Sequence, residues 1–308
     1  MGRAMTTGPW RVDFIPDVAS FEEVAGPLLA ADPVGSTVIA TQVERARAAG
    51  AVSPIDPSTP INPDDPWWGV VRDERGEVAG LAMHADGYRR FCYVLGMPDG
   101  AATALGRAMA DRGGYIHGVN GARPACDTVA GILAEQVGRL VVITVHTRLF
   151  RCDAVVAPPR PAGRLRLGTH DDLDLATAWW AAFLADADAQ GGRTTPSEPV
   201  HDVRAAVQPR IDDGCLWFWE DEHGERVHLT AANPPAYGVC RVGPVYTPAD
   251  HRGRGYAAAA VAEVTAGILA AGNVPCLFTD QANPVSNKIY ERIGYRAVTD
   301  MANLRITR

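Results

Sequence analysis

One stretch of this chain restricts the choice of fold more than any other. An apolar run, Val239 to Tyr246, is followed by Thr247-Pro248, a short polar loop, and then Arg252-Gly253-Arg254-Gly255-Tyr256-Ala257. The run reads as a buried strand and the glycine-punctuated segment as the start of a helix. Gly253 and Gly255 lack a Cβ, so the backbone can turn tightly there. Several N–H groups can then converge on an anion at the positive end of a helix dipole. The segment reads as a phosphate cradle. Because Gly/Arg loops precede helices in many proteins, the loop alone assigns no function.

After one further apolar strand comes Asn283-Pro284-Val285-Ser286-Asn287-Lys288-Ile289-Tyr290-Glu291-Arg292-Ile293-Gly294-Tyr295. Asn283 and Pro284 supply an N-cap and a proline at the first helical position, and Gly294 is placed to end the helix. Ser286 and Tyr290 share one helical face, while Ile289 and Ile293 form the neighbouring buried stripe.

In this order the two blocks resemble the R-x-x-G-x-A loop and the N-x-x-S/A-x-x-x-Y-x-x-x-G-Y/F helix of the GCN5-related N-acetyltransferases, a resemblance that covers residues 164–308. It implies an α/β domain with a central mixed, mostly antiparallel sheet flanked by helices. It also implies acetyl-CoA, or another acyl-CoA, as co-substrate and no metal. The pyrophosphate falls to Arg252, Gly253, Arg254, Gly255, Tyr256 and Ala257, with Asn283, Ser286 and Tyr290 beside the coenzyme. By the same resemblance, a splay at the end of the fourth strand lets Val245, Tyr246 and Thr247 offer main-chain groups to the pantetheine arm and to the developing oxyanion. Tyr290, with an ordinary pKa of about 10, would then protonate the departing thiolate.

The motifs do not name the base that takes the proton of the amine. Asp280, beyond the strand Cys276 to Thr279, and Glu220, after Leu216-Trp217-Phe218-Trp219, are acids at strand ends. Helix capping accounts for the first almost as well, and a solvated hairpin edge for the second. His228, inside a short strand, reads more readily as a packed histidine. Asp186 and Asp188 read more readily as a solvated helix end, and a water chain ending at one of these acids would also serve. Trp217 and Trp219 share one strand face, with core packing ahead of an acceptor pocket as the explanation.

At 308 residues the chain suits two domains. A proline-rich stretch, Ala154 to Gly163, marks the boundary. The expected organisation is tandem: 1–151 as a degenerate acetyltransferase-like domain, 152–163 as a linker, and 164–308 as the catalytic domain. The repeat is hinted at by Asp73-Glu74-Arg75-Gly76 before Val78, which parallels Asp221-Glu222-His223-Gly224 before Arg226. Yet Gly96-Met97-Pro98-Asp99-Gly100 carries no R-x-x-G-x-A, so the first half is expected to bind no coenzyme and instead to shape a substrate cleft or pseudo-dimer interface.

The six cysteines show no C-x-x-C spacing, which argues for reduced thiols and against zinc or disulfides. No apolar run approaches the roughly 20 residues of a membrane span. The start lacks a signal pattern, so a cytoplasmic protein is expected. Lys288 is the only lysine, an Arg bias suggesting a GC-rich bacterial genome. The net charge of −7 argues against a general nucleic-acid binder.

The expected function is therefore acyl transfer to a small-molecule amine in a ternary complex, by a monomeric pseudo-dimer or a homodimer. Two alternatives stand beside it. One is an aminoacyl-tRNA-dependent amide-forming transferase, kept open by Arg89-Arg90 and Arg252/Arg254. The other is a coenzyme-binding protein without catalysis.

Overall fold

A computed structural model describes residues 5–15, 17–50, 66–84, 91–113, 116–190 and 202–307. The chain divides into two compact units, Met1–Thr147 with Thr299–Arg308, and Arg148–Val298. Each is a mixed, mostly antiparallel sheet flanked by helices.

The first unit runs β1 (Met5–Thr7), β2 (Trp10–Ile15), α1 (Val18–Ala31), α2 (Thr37–Ala48), β3 (Trp67–Arg72), β4 (Val78–His84) and β5 (Phe91–Val94). It continues with α3 (Asp99–Arg112), β6 (Gly118–Ala122), α4 (Ala125–Gln136) and the start of β7 (Leu140–Cys152). Strands β1 to β5 pair antiparallel in order, and β6 joins β5 in parallel. The alternation of a strand decides which helix each residue meets. Trp67 enters the core built with α3 and α4, whereas its neighbour Trp68 stacks on Phe21 of α1 at 4.7 Å between ring centroids.

The second unit holds β8 (Arg164–Leu167), α5 (Leu173–Gln190), α6 (Val203–Asp212), β9 (Leu216–Glu220), β10 (Arg226–Ala232) and β11 (Val239–Tyr246). After these come α7 (Tyr256–Ala270), β12 (Val274–Asp280), α8 (Pro284–Arg292) and the start of β13 (Tyr295–Thr307). Strands β8 to β11 pair antiparallel, and β11 pairs β12 in parallel. Leu216 and Phe218 face α5 and α6, while Trp219 packs with Tyr256, Ala259 and Ala260 of α7 and Trp217 joins the core that holds Val261 and Tyr290. Both indoles thus serve packing.

Two boundaries differ from the sequence reading. The last strand continues past residue 298, and Met301 to Arg305 pair antiparallel with β6, so the chain's end counts with the first unit. Residues 154–163 are not a free spacer but a strap on the second unit. Val156 N–H donates to the Ile293 carbonyl at 3.0 Å, Trp219 Nε1 donates to the Ala162 carbonyl at 3.0 Å, and Arg160 pairs with Glu263 at 2.9 Å.

The internal repeat is visible bond for bond. In the β3–β4 turn, Asp73 Oδ1 accepts from the N–H groups of Arg75 and Glu77, both at 2.9 Å. In the β9–β10 turn, Asp221 Oδ1 accepts from those of His223 and Glu225, again at 2.9 Å. Gly76 and Gly224 close the turns at φ +87° and +80°. A bulge follows in each second strand, with Ala79 and Val227 as the extra residues.

The turn after α8 has little freedom. Gly294 has φ +107°, and a Cβ there would lie 2.3 Å from the Ala154 carbonyl oxygen of the strap. Gly294→Ala is therefore expected to destabilise the second unit by at least about 2 kcal/mol, read as a lowered denaturant midpoint at unchanged slope. A wild-type midpoint would show that the strap yields freely.

Candidate functional site

Strand β11 departs from regular pairing on both edges. Toward β10, Thr230 faces Val245 and Ala232 faces Val242, so the single residue Ala231 spans both Gly243 and Pro244. Toward β12, pairing runs only through Val239↔Val274, Cys240↔Pro275 and Arg241↔Cys276, although both strands continue to Tyr246 and Asp280. The two strands therefore diverge, leaving main-chain groups of Val242 to Tyr246 without a β12 partner. This is the splay expected beside Val245, Tyr246 and Thr247.

Beyond the splay, a 3-10 turn at Ala249–His251 leads into the glycine loop. Gly253 and Gly255 have φ +77° and +86°, and a Cβ at either would meet nothing within 4 Å. Gly255 is the N-cap of α7 in the left-handed region, and Ala259 N–H is the first to find an intrahelical acceptor, the Gly255 carbonyl at 3.1 Å. Among the described residues, the N–H groups of Gly253, Arg254, Gly255, Tyr256, Ala257 and Ala258 donate to no protein acceptor. Such a set of unpaired donors at a helix N-terminus, facing open space, fits a phosphate.

The side chains around the loop hold it in place. Arg252 donates through Nε to the Thr247 carbonyl at 2.9 Å, pairs with Asp186 of α5 and lies over the Tyr246 ring at 6.0 Å. Arg254 donates to the Asp250 carbonyl at 3.1 Å, and Tyr256 turns into the core beneath α7. Main-chain N–H groups, rather than these guanidiniums, are the donors left for an anion.

Helix α8 is capped as its sequence predicts. Asn283 Oδ1 accepts the Ser286 N–H at 3.0 Å, and Asn283 Nδ2 donates to Gln190 Oε1 of α5 at 2.6 Å. Tyr290 is 8 % exposed and packs edge-on to Tyr295 at 6.0 Å between centroids. Val245 and Ala258 pack against the same core cluster, which brings the tyrosine together with the end of β11 and the first turn of α7. Burial pushes its pKa up to about 12, so the hydroxyl is fully protonated at neutral pH.

The acid candidates are differently engaged. Glu220 is held by Arg164 at 3.0 Å and also by Arg166, which itself bonds Asp172 at 2.7 Å; Arg226 closes the cluster on Asp172 at 3.0 Å. The Arg166 hydrogen bond, foremost, keeps the Glu220 carboxyl below its ordinary range despite its burial. It is an anion and a weak proton acceptor. Asp280 ends β12 on the diverging side, with Oδ1 accepting the Ala282 N–H at 2.9 Å. Asp186 is the partner of Arg252. His228 is fully buried, with Nδ1 and Nε2 each 2.7 Å from a hydroxyl, those of Thr247 and Thr230. Arg89 and Arg90 lie outside the described residues.

Among the described residues, the first unit lacks these features. All four residues of β5 pair with β6, through Val94↔Gly121, so no splay opens. At the start of α3, Gly100 lies against Trp10, whose Nε1 would be 2.5 Å from an added Cβ. Met97 packs against Gly80, where a Cβ would meet its Sδ at 2.7 Å. Side chains of the unit itself fill the region where the second unit presents its open loop.

Known proteins share this fold. Residues 225–305 match a family model described as FR47-like protein. No curated protein matches. A GCN5-related N-acetyltransferase from Sphaerobacter thermophilus is similar over 99% of this chain and 98% of its own, at 17% identity and a TM-score of 0.59. A GNAT-family acetyltransferase from Colwellia psychrerythraea is similar over 96% and 98%, at 11% identity and a TM-score of 0.55. A Drosophila protein reaches a TM-score of 0.65 at 13% identity, over 96% and 98%. The chain thus shares the fold of GCN5-related N-acetyltransferases, and the segment that matches the FR47-like model carries both the glycine loop and the tyrosine helix.

Proposed function

We propose that the second unit transfers an acyl group, most simply acetyl, from acyl-CoA to a small-molecule amine without a covalent enzyme intermediate. The observation that carries this reading is the combination of a β11–β12 divergence with the unpaired N–H groups of Gly253 to Ala258. The loop N–H groups hold the pyrophosphate, and the freed main chain of β11 lines the path of the pantetheine arm and donates to the oxygen on which charge develops.

The amine forms a C–N bond to the thioester carbonyl carbon, the C–S bond breaks, and the proton released by nitrogen balances the one gained by sulfur. Tyr290 provides the hydrogen for the departing thiolate. Its pKa of about 12 lies above that of a thiol, about 8.5, so the tyrosine acts as a donor that is promptly reprotonated rather than as a lasting tyrosinate. Asp280 is the proposed acceptor for the amine proton, because it ends the diverging strand, whereas Glu220 is neutralised by two guanidiniums. Buried cysteines do not support a nucleophilic route: burial raises the Cys240 thiol to about 11.

The aminoacyl-tRNA alternative draws no support from the described arginines, since Arg252 and Arg254 are bonded within the loop region. An acidic protein with a net charge of −7 favours a cationic amine as acceptor.

Thiol release measured across an amine library with several acyl-CoA donors tests the reaction itself. Gly255→Val places a branched side chain in the open space before the loop and is expected to weaken acetyl-CoA binding at least about tenfold; wild-type affinity in a folded variant would remove the pyrophosphate from this loop. Tyr290→Phe keeps the ring and deletes only the hydroxyl. It should retain coenzyme affinity and lower single-turnover acyl transfer by roughly 10²-fold, and an unchanged single-turnover rate would assign the proton to another donor.

A further inference from the structure

His228 is a fully buried titratable group for which the chemistry above has no use, and its surroundings give it one. The bulge at Val227 sets the phase of β10 so that His228 and Thr230 lie on one face, and Thr247 comes across from the end of β11. Nδ1 lies 2.7 Å from the Thr247 hydroxyl and Nε2 lies 2.7 Å from that of Thr230, which is also fully buried. A neutral imidazole has one donor and one acceptor nitrogen, so one hydroxyl receives a hydrogen bond from the ring and the other gives one to it. Desolvation holds the ring neutral, lowering its pKa to about 3.

Thr247 is the first residue beyond β11, where the chain leaves the sheet for the glycine loop. Its hydroxyl is tied to His228 and its carbonyl accepts from Arg252 Nε at 2.9 Å. Both ends of the segment from Thr247 to Arg252 are thereby fixed immediately before the donors of Gly253 to Ala258.

The first unit offers an internal control. His228 follows the turn glycine Gly224 by the same interval as Gly80 follows Gly76. Thr230 pairs with Val245 as Ala82 pairs with Val94, which sets Gly96 in register with Thr247. Thr230, His228 and Thr247 are thus matched by Ala82, Gly80 and Gly96. The half without a glycine loop carries none of the three hydrogen-bonding side chains, and Met97 packs against Gly80 instead. The three side chains thus accompany the glycine loop rather than the shared hairpin.

We infer that the buried chain Thr230–His228–Thr247 positions the coenzyme loop, making His228 a positioning residue for acyl-CoA binding; the inference rests on the coenzyme reading of that loop. By holding the start of the loop before the ligand arrives, the chain spares binding the entropy of ordering it.

Calorimetric titration of the full-length protein with CoA tests this. Thr247→Val, which matches threonine in shape but lacks the hydroxyl, is expected to raise the Kd about tenfold while shifting the melting temperature by only a few degrees. Thr247→Ser should bind nearly as wild type. His228→Phe should weaken binding to the same extent, and the double variant no further than either single one, because both remove one linkage. Wild-type affinity in Thr247→Val, or independent addition of the two effects, would overturn the inference alone. Absence of CoA binding by the wild-type protein would overturn the loop assignment and this inference with it.

Discussion

Pairing between β11 and β12 stops after Arg241↔Cys276, and what the second unit can do follows from that stop. A parallel pair that kept its register would consume the very N–H and C=O groups that a ligand needs. By bulging at Gly243-Pro244 toward β10 and parting from β12, β11 keeps one edge in the sheet and frees the other. The loop that follows extends the same logic. Its glycines occupy left-handed backbone, and the first N–H groups of α7 are left without acceptors. An unpaired backbone donor away from water is unfavourable, so the arrangement is stable where solvent or an anion can reach it.

The two halves share hairpins and differ at one strand end. Their hairpins bond alike at Asp73 and Asp221 and bulge alike at Ala79 and Val227. Where they part is at the end of the strand that leads into the third helix of each unit. In the first half β5 stays zipped to β6, and Trp10 and Met97 lie against Gly100 and Gly80. In the second, the imidazole of His228 and the hydroxyl of Thr247 stand where the first has glycines. In the first half, then, side chains of the unit lie where the second has open space, and the polar groups of the second are absent.

What the sequence disclosed was whatever local chemistry dictates. Gly253 and Gly255 announce left-handed backbone, Asn283-Pro284 announces a capped helix start, and the Asp-x-x-Gly turns announce hairpins, because each depends on a few adjacent residues. The missing loop in the first half was legible for the same reason. Partners distant in sequence were not. Glu220 reads as a candidate base until Arg164 and Arg166 close on it. Residues 154–163 read as a spacer until Trp219 and Ile293 bind them. The pairing of residues 301–305 with β6 requires knowing which edge is open. His228 reads as a packed histidine in sequence, and it is buried. Its bond to Thr247 depends on the bulge at Val227, and a bulge carries no reliable local signature.

One parallel strand pair diverges and the other does not, which predicts that the second unit binds coenzyme and the first does not. The most direct measurement is the stoichiometry of acetyl-CoA binding to the intact chain by titration calorimetry. One site per chain is the expected result. Two equivalent sites would contradict it by showing that the paired strands of the first unit open, and no site would contradict it by showing that the divergent strands of the second serve another ligand.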